Sequence, residues 1–141
     1  MNMRIPAIIA VLFLLAGCGN APTQPDASGE SPAVKSPETP EGVVKTIFEV
    51  AKTQDFSQLQ SLCDPQGEND DDTQRICDLA TDEESQASFV QYFEKGEVSD
   101  AVQISEDGTQ ASVPFVFGPD GDQTETMELI NRDGNWYLSS F

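Results

Sequence analysis

The chain has 141 residues, room for one domain, with seven Lys+Arg against 25 Asp+Glu and a formal net charge of −18 at pH 7. A surface this acidic repels nucleic-acid phosphates and anionic lipid headgroups, so we expect the folded part of the chain to bind neither. The sequence contains no histidine, which excludes acid–base catalysis by an imidazole.

The chain begins with a short apolar segment, residues 5–16, which a proline interrupts. A helix that spans a bilayer needs roughly 20 apolar residues, so this segment is too short to be one. The preceding Arg4 and the small residue Gly17 after it are typical of a secretory signal peptide. We therefore predict that residues 1–17 are a signal peptide.

The end of that segment, Leu15-Ala16-Gly17-Cys18, resembles the lipobox of bacterial lipoproteins. In that family the cysteine thiol is joined to diacylglycerol, the chain is cut before the cysteine, and the new amino group is acylated. The resemblance implies that Cys18 is lipidated and holds the protein on a bilayer, because two or more acyl chains anchor stably. It also implies a place in the bacterial cell envelope, at the outer membrane in a diderm host, since Gly19 and not Asp follows. The alternative is an ordinary signal peptide that happens to contain Cys18.

Residues 18–40 comprise this cysteine and a segment rich in proline with almost no large apolar side chains. Such a composition cannot bury a core, so we predict a disordered linker. As a flexible coil it would span roughly 25 Å. A binding motif for a proline-recognising partner is the alternative. The remaining residues, 41–141, form the single predicted domain.

The first half of the domain has helical periodicity. Thr39-Pro40-Glu41 predicts a helix N-terminus with a cap, a first-position proline and an acidic first turn. Asp55 can cap a second, shorter helix that stops at Asp64-Pro65. A third segment is predicted over about 73–80, and the sequence from Thr81 to Glu84 fits a capping box that opens a fourth helix. The expected buried positions are Val43, Val44, Ile47, Phe48, Ala51, Phe56, Leu59, Leu62, Ile76, Leu79, Ala80, Phe89, Tyr92 and Phe93.

After Gly96 the apolar period changes from 3.6 to 2, which indicates strands. Asp-Gly pairs at 107–108 and 133–134 predict hairpin turns, and a Gly/Pro/Asp loop lies at 118–122. Val98, Asp100, Val102 and Ile104 share one face of the first predicted strand, and Ala111, Val113, Phe115 and Phe117 share one face of the second. A third strand runs through Met127 to Ile130 with less regular alternation, and the final strand is WYLSSF. The fold class is therefore α+β, with N-terminal helices packed on a four-stranded antiparallel meander.

Cys63 and Cys77 are the other two cysteines. An exported chain meets an oxidising compartment, so we predict a disulfide between them. Closing a loop of about 15 residues would stabilise the fold by about 3 kcal/mol on the chain-entropy model. A redox or metal-binding pair is the alternative, although the spacing is not that of a CxxC motif.

The first helix, EGVVKTIFEVAKTQDFSQL, and the ending RDGNWYLSSF resemble the nuclear-transport-factor-2-like fold, also called SnoaL-like. The group with the greatest similarity is one of small bacterial lipoproteins with such domains and no assigned activity. In the family a long helix and a short one begin the domain, and a Gly-x-Trp strand, here Gly134-Asn135-Trp136, ends it. The resemblance implies a strongly bent, cone-like sheet around a cavity that holds the catalytic groups in the family's enzymes.

Asp100 is the candidate acid or base for such an enzyme. If its strand face lines the core, the carboxylate would be desolvated and could act as a general acid or base. Tyr92 could then donate a hydrogen bond and Trp136 could form a wall. The alternative is that Asp100 is solvated at the sheet edge, and Glu128 has the same ambiguity.

The run Glu68-Asn69-Asp70-Asp71-Asp72 gathers oxygen ligands that suit Ca²⁺. Its candidate ligands are Glu68, Asp70, Asp71 and Asp72. The spacing does not match an EF-hand loop, and Asp71 and Asp72 also suit the N-terminus of the third helix. A solvated loop held by the disulfide is the other interpretation.

We therefore expect an envelope lipoprotein, anchored by acylated Cys18, whose domain binds a small ligand or an envelope protein without catalysis and without a cofactor. The first alternative is a small enzyme that uses Asp100 in a cone-shaped cavity. The second is a domain whose acidic loop is ordered by Ca²⁺.

Overall fold

The computed structural model describes residues 37–67 and 69–141. The predicted signal peptide, Cys18, most of the predicted linker and the candidate ligand Glu68 lie outside these residues. In the described part, four helices are followed by a five-stranded antiparallel sheet. The predicted α+β fold, with helices packed on a sheet, is confirmed.

Helix α1 (Pro40–Thr53) begins where the sequence predicts. The Thr39 hydroxyl accepts a hydrogen bond from Gly42 N–H at 3.2 Å, and proline occupies the first helical position. The helix ends at Gln54, whose φ of 60° is left-handed, a common helix stop. Its apolar face is buried and comprises Val43, Val44, Ile47, Phe48, Val50 and Ala51.

The remaining helices are shorter. Phe56–Leu62 is a 3₁₀ helix, α2 is Asp71–Asp78, and α3 is Glu83–Phe93. The predicted capping box is displaced by one residue, because the Thr81 hydroxyl donates to the Asp78 carbonyl at 2.9 Å instead of capping α3. Asp82 is the N-cap.

The five strands are β1 (Glu97–Val98), β2 (Gln103–Ile104), β3 (Gln110–Phe117), β4 (Gln123–Arg132) and β5 (Asn135–Ser140). β1 and β2 both pair with β3, and β4 and β5 follow in order. Asp133 and Gly134 have φ values of 54° and 87°, the backbone that makes Asp-Gly a preferred two-residue hairpin turn. The sheet is therefore a meander whose first strand is divided in two.

Pro114 explains why the predicted first strand is interrupted. The Pro114 carbonyl accepts a hydrogen bond from Ser99 N–H at 3.0 Å, so its backbone faces the edge strand, but proline has no N–H to donate there. Residues 99–102 leave the ladder at this point, and Ile104 is 54% exposed. The prediction of one continuous strand is wrong, and Asp100 is exposed, as in the interpretation of a solvated carboxylate at the sheet edge.

The core lies between α1 and the inward face of β3–β5. The register pairs Val113 with Met127 and Leu129 with Leu138, which places these side chains together on the face toward the helices. All buried members of this core cluster lie in residues 43–138, so the domain contains a complete core of its own. Within the described residues, no helix is long and apolar enough to cross a membrane.

One disulfide and one ion pair hold the end of the 3₁₀ helix to its neighbours. Cys63 and Cys77 form a disulfide with a Cα–Cα distance of 6.0 Å, which confirms the predicted pairing. The next residue, Asp64, pairs with Arg132 of β4, with 2.9 Å between Oδ2 and the guanidinium nitrogen. The segment between the 3₁₀ helix and α2 is thereby joined both to α2 and to the sheet.

Candidate functional site

An apolar groove of about 420 Å³ lies between α2 and α3. Its apolar lining comes from both helices, from the end of β3 and from the residue after β5, and consists of Ile76, Leu79, Phe89, Tyr92, Phe93, Phe117 and Phe141. The depression beside the disulfide is different, because polar residues such as Gln60, Ser61 and Gln74 contribute to its lining. The groove is thus the apolar candidate site of the described domain.

Helical spacing places these side chains on facing walls. Ile76 and Leu79 are three residues apart near the end of α2, and Phe89 and Tyr92 have the same spacing on α3. Residues three and four apart lie on one helix face, so each helix presents an apolar strip to the groove. Polar residues of the same strips, including Ser85 and Ser88, form the rim.

Aromatic rings in stacked and edge-to-face contact form the floor, with Phe93 at their centre. Its ring centroid lies 4.9 Å from that of Phe89, 5.5 Å from that of Phe117 and 5.9 Å from that of Phe141. Each such pair contributes about 0.5–1.5 kcal/mol beyond the area it buries. Tyr92 lies above this floor, 6.4 Å from Phe117 between ring centroids, and is 40% exposed. The floor is therefore preformed, with one accessible aromatic ring beside it.

Asp70 connects α2 to Phe141 in the floor of the groove. One carboxylate oxygen accepts from Thr73 N–H at 2.8 Å and caps α2, and the other accepts from Phe141 N–H at 3.3 Å. Its own N–H donates to the Ser139 carbonyl at 3.0 Å. A single side chain thus fixes the start of α2 relative to the residue that completes the floor.

The cations near the groove are already engaged. Arg75, on the rim, pairs with Asp72 at 2.9 Å. Lys95, just beyond α3, donates from Nζ to the Pro119 carbonyl. The exposed carboxylates that flank the groove-lining strips are Asp71 on α2 and Glu84 on α3, whereas Asp78 and Glu83 line depressions on other faces. The surroundings of the groove are therefore acidic.

The two catalytic candidates, Tyr92 and Asp100, lie in different parts of the structure. Tyr92 lines the groove, but Asp100 is exposed in the interruption between β1 and β2, where its carboxylate accepts from Ala101 N–H at 3.0 Å. Of the two interpretations of Asp100, the solvated position at the sheet edge agrees with the structure and the core-facing position does not, because the chain leaves the sheet opposite Pro114. Glu128 is also exposed and accepts from the Ser112 hydroxyl at 2.7 Å.

The space between the helices and the sheet, where the family resemblance implies a cavity, is filled by aromatic rings. Phe115 lies 5.9 Å from Phe48 and 6.4 Å from Phe93 between ring centroids. Trp136, the predicted cavity wall, is buried in the same core. The apolar surface that a ligand could reach therefore lies in the groove beside this filled interior.

The acidic loop contributes to α2. Asp70 is its N-cap, Asp71 and Asp72 lie in its first turn, and Asp72 pairs with Arg75. In residues 37–67 and 69–141, no group of three or more Asp, Glu, Cys or His side chains is placed to hold a metal ion. The fourth proposed ligand, Glu68, lies outside these residues.

The sequence predicts the apolar helix positions that line the groove, but it does not predict that a groove forms between α2 and α3. The predicted burial of Ile76, Leu79, Phe89 and Phe93 is confirmed, whereas the predicted burial of Tyr92 is wrong because its ring is 40% exposed at the groove. The sequence signal for a site is that two consecutive short helices each carry an apolar strip. One neighbouring helix, α1, is not enough to cover both strips.

No protein-family model matches the chain, and no curated protein matches it. Among solved structures, a SEC-C motif containing protein from Rhodopseudomonas palustris is similar at 21% identity and a TM-score of 0.48, over 74% of this chain and 78% of that chain. The intermembrane space region of the chloroplast protein ARC6 is similar at 15% identity and a TM-score of 0.39, over 70% of this chain and 88% of that chain. Neither likeness carries an argument about what this chain binds.

Proposed function

We propose that the protein is a membrane-anchored lipoprotein of the bacterial envelope whose domain binds a ligand or another protein in the groove between α2 and α3, without catalysis. The observation that carries the binding role is the groove. Its volume of about 420 Å³ falls within the roughly 300–1,000 Å³ of ligand pockets, which are also mainly apolar with a few polar groups. Its aromatic lining is the kind that dominates binding energy at interfaces.

The proposed anchor is supported by the sequence Leu15-Ala16-Gly17-Cys18 after a short apolar segment. In a diderm host, Gly19 favours the outer membrane. An acidic domain is repelled by anionic headgroups, so the anchor and not the folded surface would make the contact with lipid. We further propose that the domain belongs to the nuclear-transport-factor-2-like group, which its order of helices and strands and the ending Gly134-Asn135-Trp136 support.

The enzyme alternative loses its main support in this geometry. An acid–base site needs the carboxylate and its hydrogen-bond donor within reach of one substrate. Tyr92 lines the groove and Asp100 does not. Binding without chemistry is the function that the arrangement of residues favours.

A neutral apolar dye, Nile red, tests the binding role. The chain from residue 18 onward with Cys18→Ser keeps the complete core of residues 43–138 and avoids lipid that would absorb the dye. We expect saturable binding that Tyr92→Ala weakens by about tenfold, since truncation of a hot-spot aromatic costs more than about 1 kcal/mol.

Ile104→Ala is the matched control, because Tyr92 and Ile104 are both exposed large apolar residues, at 40% and 54%, and Ile104 lies on β2 outside the groove. We expect this variant to bind the dye as the parent does. No saturable binding, or equal loss in both variants, would refute a binding role for the groove.

The anchor is tested in the full-length protein by labelling bacteria with radioactive palmitate. Cys18→Ala should abolish both the label and membrane retention, because no other residue of the lipobox offers a thiol. Label that persists in Cys18→Ala would refute lipidation at this position. The binding role would be unaffected by that result.

A further inference from the structure

We infer that the groove takes a cationic amphipathic helix of another protein, with apolar side chains on the aromatic floor and Lys or Arg side chains over the acidic banks. The acidic banks are Asp71 and Asp72 on α2 together with Glu84 on α3. This inference rests on the proposed function, because it requires that the groove binds.

The acidic banks follow directly from helical spacing. Asp72, Arg75, Ile76 and Leu79 line the groove from α2. Asp71 is exposed about a quarter turn around the helix from that strip, whereas Asp78 lines the depression beside the disulfide. Glu84 is likewise exposed, about a quarter turn around α3 from the strip that begins at Ser85. A helix seated between the two strips would therefore have carboxylates along both of its sides.

Charge also argues against an anionic occupant such as a fatty acid. Arg75 is the single cation among the described residues that line the groove, and Asp72 already pairs with it at 2.9 Å. The chain as a whole has a net charge of −18. An anion would meet repulsion on approach, whereas a cation would be attracted.

A helix fits the groove better than other protein segments. Two helices flank the groove, and an apolar helix face packs into such a gap through residues spaced three and four apart. The backbone hydrogen bonds of a helix are internal, so it needs no sheet edge, and the groove offers none. Side chains on its outer flanks would reach the acidic banks.

The chain itself supplies no good occupant. Residues 19–36 contain one basic residue, Lys35, and the acidic residues Asp26 and Glu30, so the composition of this segment is not cationic. A second copy of the domain would bring the same acidic surface and be repelled. The partner is therefore a different protein that carries a basic amphipathic segment.

The test uses the chain from residue 18 onward with Cys18→Ser and a fluorescent helical peptide of roughly 15 Leu and Lys residues with all Leu on one face, near the length at which isolated helices become marginal. Anisotropy measures its affinity. Two further peptides replace all Lys by Glu or all Leu by Ser. We expect the Lys/Leu peptide to displace Nile red and to bind at least about tenfold more tightly than either control peptide at low salt, with the advantage over the Glu peptide shrinking at high salt.

Matched charge variants locate the binding. Asp71→Asn with Glu84→Gln removes two charges from the acidic banks, and Glu49→Gln with Glu97→Gln removes two exposed charges beside α1 and β1. We expect the first pair to weaken Lys/Leu peptide binding several-fold and the second pair to leave it unchanged. Equal effects of the two pairs, or equal binding of the Ser/Lys peptide, would indicate general attraction to an acidic surface and overturn the inference.

The failures of the two proposals are distinguishable. If Nile red binds in a manner sensitive to Tyr92→Ala but the Lys/Leu peptide neither displaces it nor exceeds the Glu peptide, the inference is wrong and the binding role stands. If neither the dye nor the peptide binds, both are wrong.

Discussion

Replacing Arg132 with Met should lower the free energy of unfolding by about 3 kcal/mol. The Asp64 side chain is 0% exposed and accepts from Arg132 through both oxygens, at 2.9 Å and 3.4 Å. Without the guanidinium, Oδ1 keeps the hydrogen bond from Gln66 N–H at 3.0 Å, but the buried charge loses its counterion. Breaking a buried pair in this way costs about 3–5 kcal/mol. We take the low end because Arg132 is 23% exposed, so water can approach the vacated position.

Replacing the other partner of the pair, Asp64, should lower the free energy of unfolding by less. In Asp64→Asn the amide oxygen can still accept from Gln66, and Arg132 can turn its charged end toward water. We therefore expect a loss of about 1.5–2 kcal/mol, the low end of the range for a hydrogen bond to a charged group. The pair should be energetically asymmetric, with the exposed partner the more costly one to remove.

Arg75→Met is the matched control for burial. The Arg75–Asp72 pair has the same 2.9 Å N–O distance, but its side chains are 77% and 57% exposed. Exposed pairs contribute about 0–1 kcal/mol, so this variant should be nearly neutral.

Urea unfolding followed by circular dichroism, with linear extrapolation to water, measures all three variants. An Arg132→Met loss below about 1 kcal/mol, or a larger loss in Asp64→Asn than in Arg132→Met, would refute the reasoning from burial.

Two further predictions concern the disulfide and one surface turn. Cys63→Ala with Cys77→Ala should lower the free energy of unfolding by about 3 kcal/mol on the chain-entropy model, because the bond closes a sequence separation of 14; an unchanged urea midpoint would contradict this. Hydrogen bonds from the hydroxyls of Ser105 and Thr109 hold the pKa of Asp107 at about 2. Because this folded-state pKa is depressed, the contribution of Asp107 to stability is present above its unfolded pKa of about 4 and is lost as the pH falls toward about 2. An NMR titration of its carboxyl group that gave a pKa near 4 would show that these hydrogen bonds are absent in solution.

The elements that the sequence predicts well are those decided by neighbouring residues. Thr39 and Pro40 begin α1 because a hydroxyl cap and a fixed φ act within one turn. Asp133 and Gly134 form the last turn because both tolerate the left-handed backbone found there. The pairing of Cys63 with Cys77 followed from a count of cysteines and an exported chain, and needed no geometry.

The errors arose where a distant residue decides. The alternation from Val98 to Ile104 is a good local strand pattern, but Pro114 on β3 removes the donor that such a strand would need. The groove was missed for a related reason. The sequence shows that Ile76 and Tyr92 belong to apolar helix faces. However, α2 packs on the 3₁₀ helix and β5 while α3 packs on α1, and only this placement leaves the groove between them and Tyr92 exposed.

The divided edge strand has a consequence for solubility. A long free strand at a sheet edge can pair with the same strand of another molecule and start an aggregate. Here that edge consists of two pieces of two residues each, Glu97–Val98 and Gln103–Ile104. At the opposite edge, a bridge from Cys63 to Leu138 covers part of β5. Copies crowded together would thus find little exposed backbone to extend, and the acidic domain can stay dispersed at high concentration.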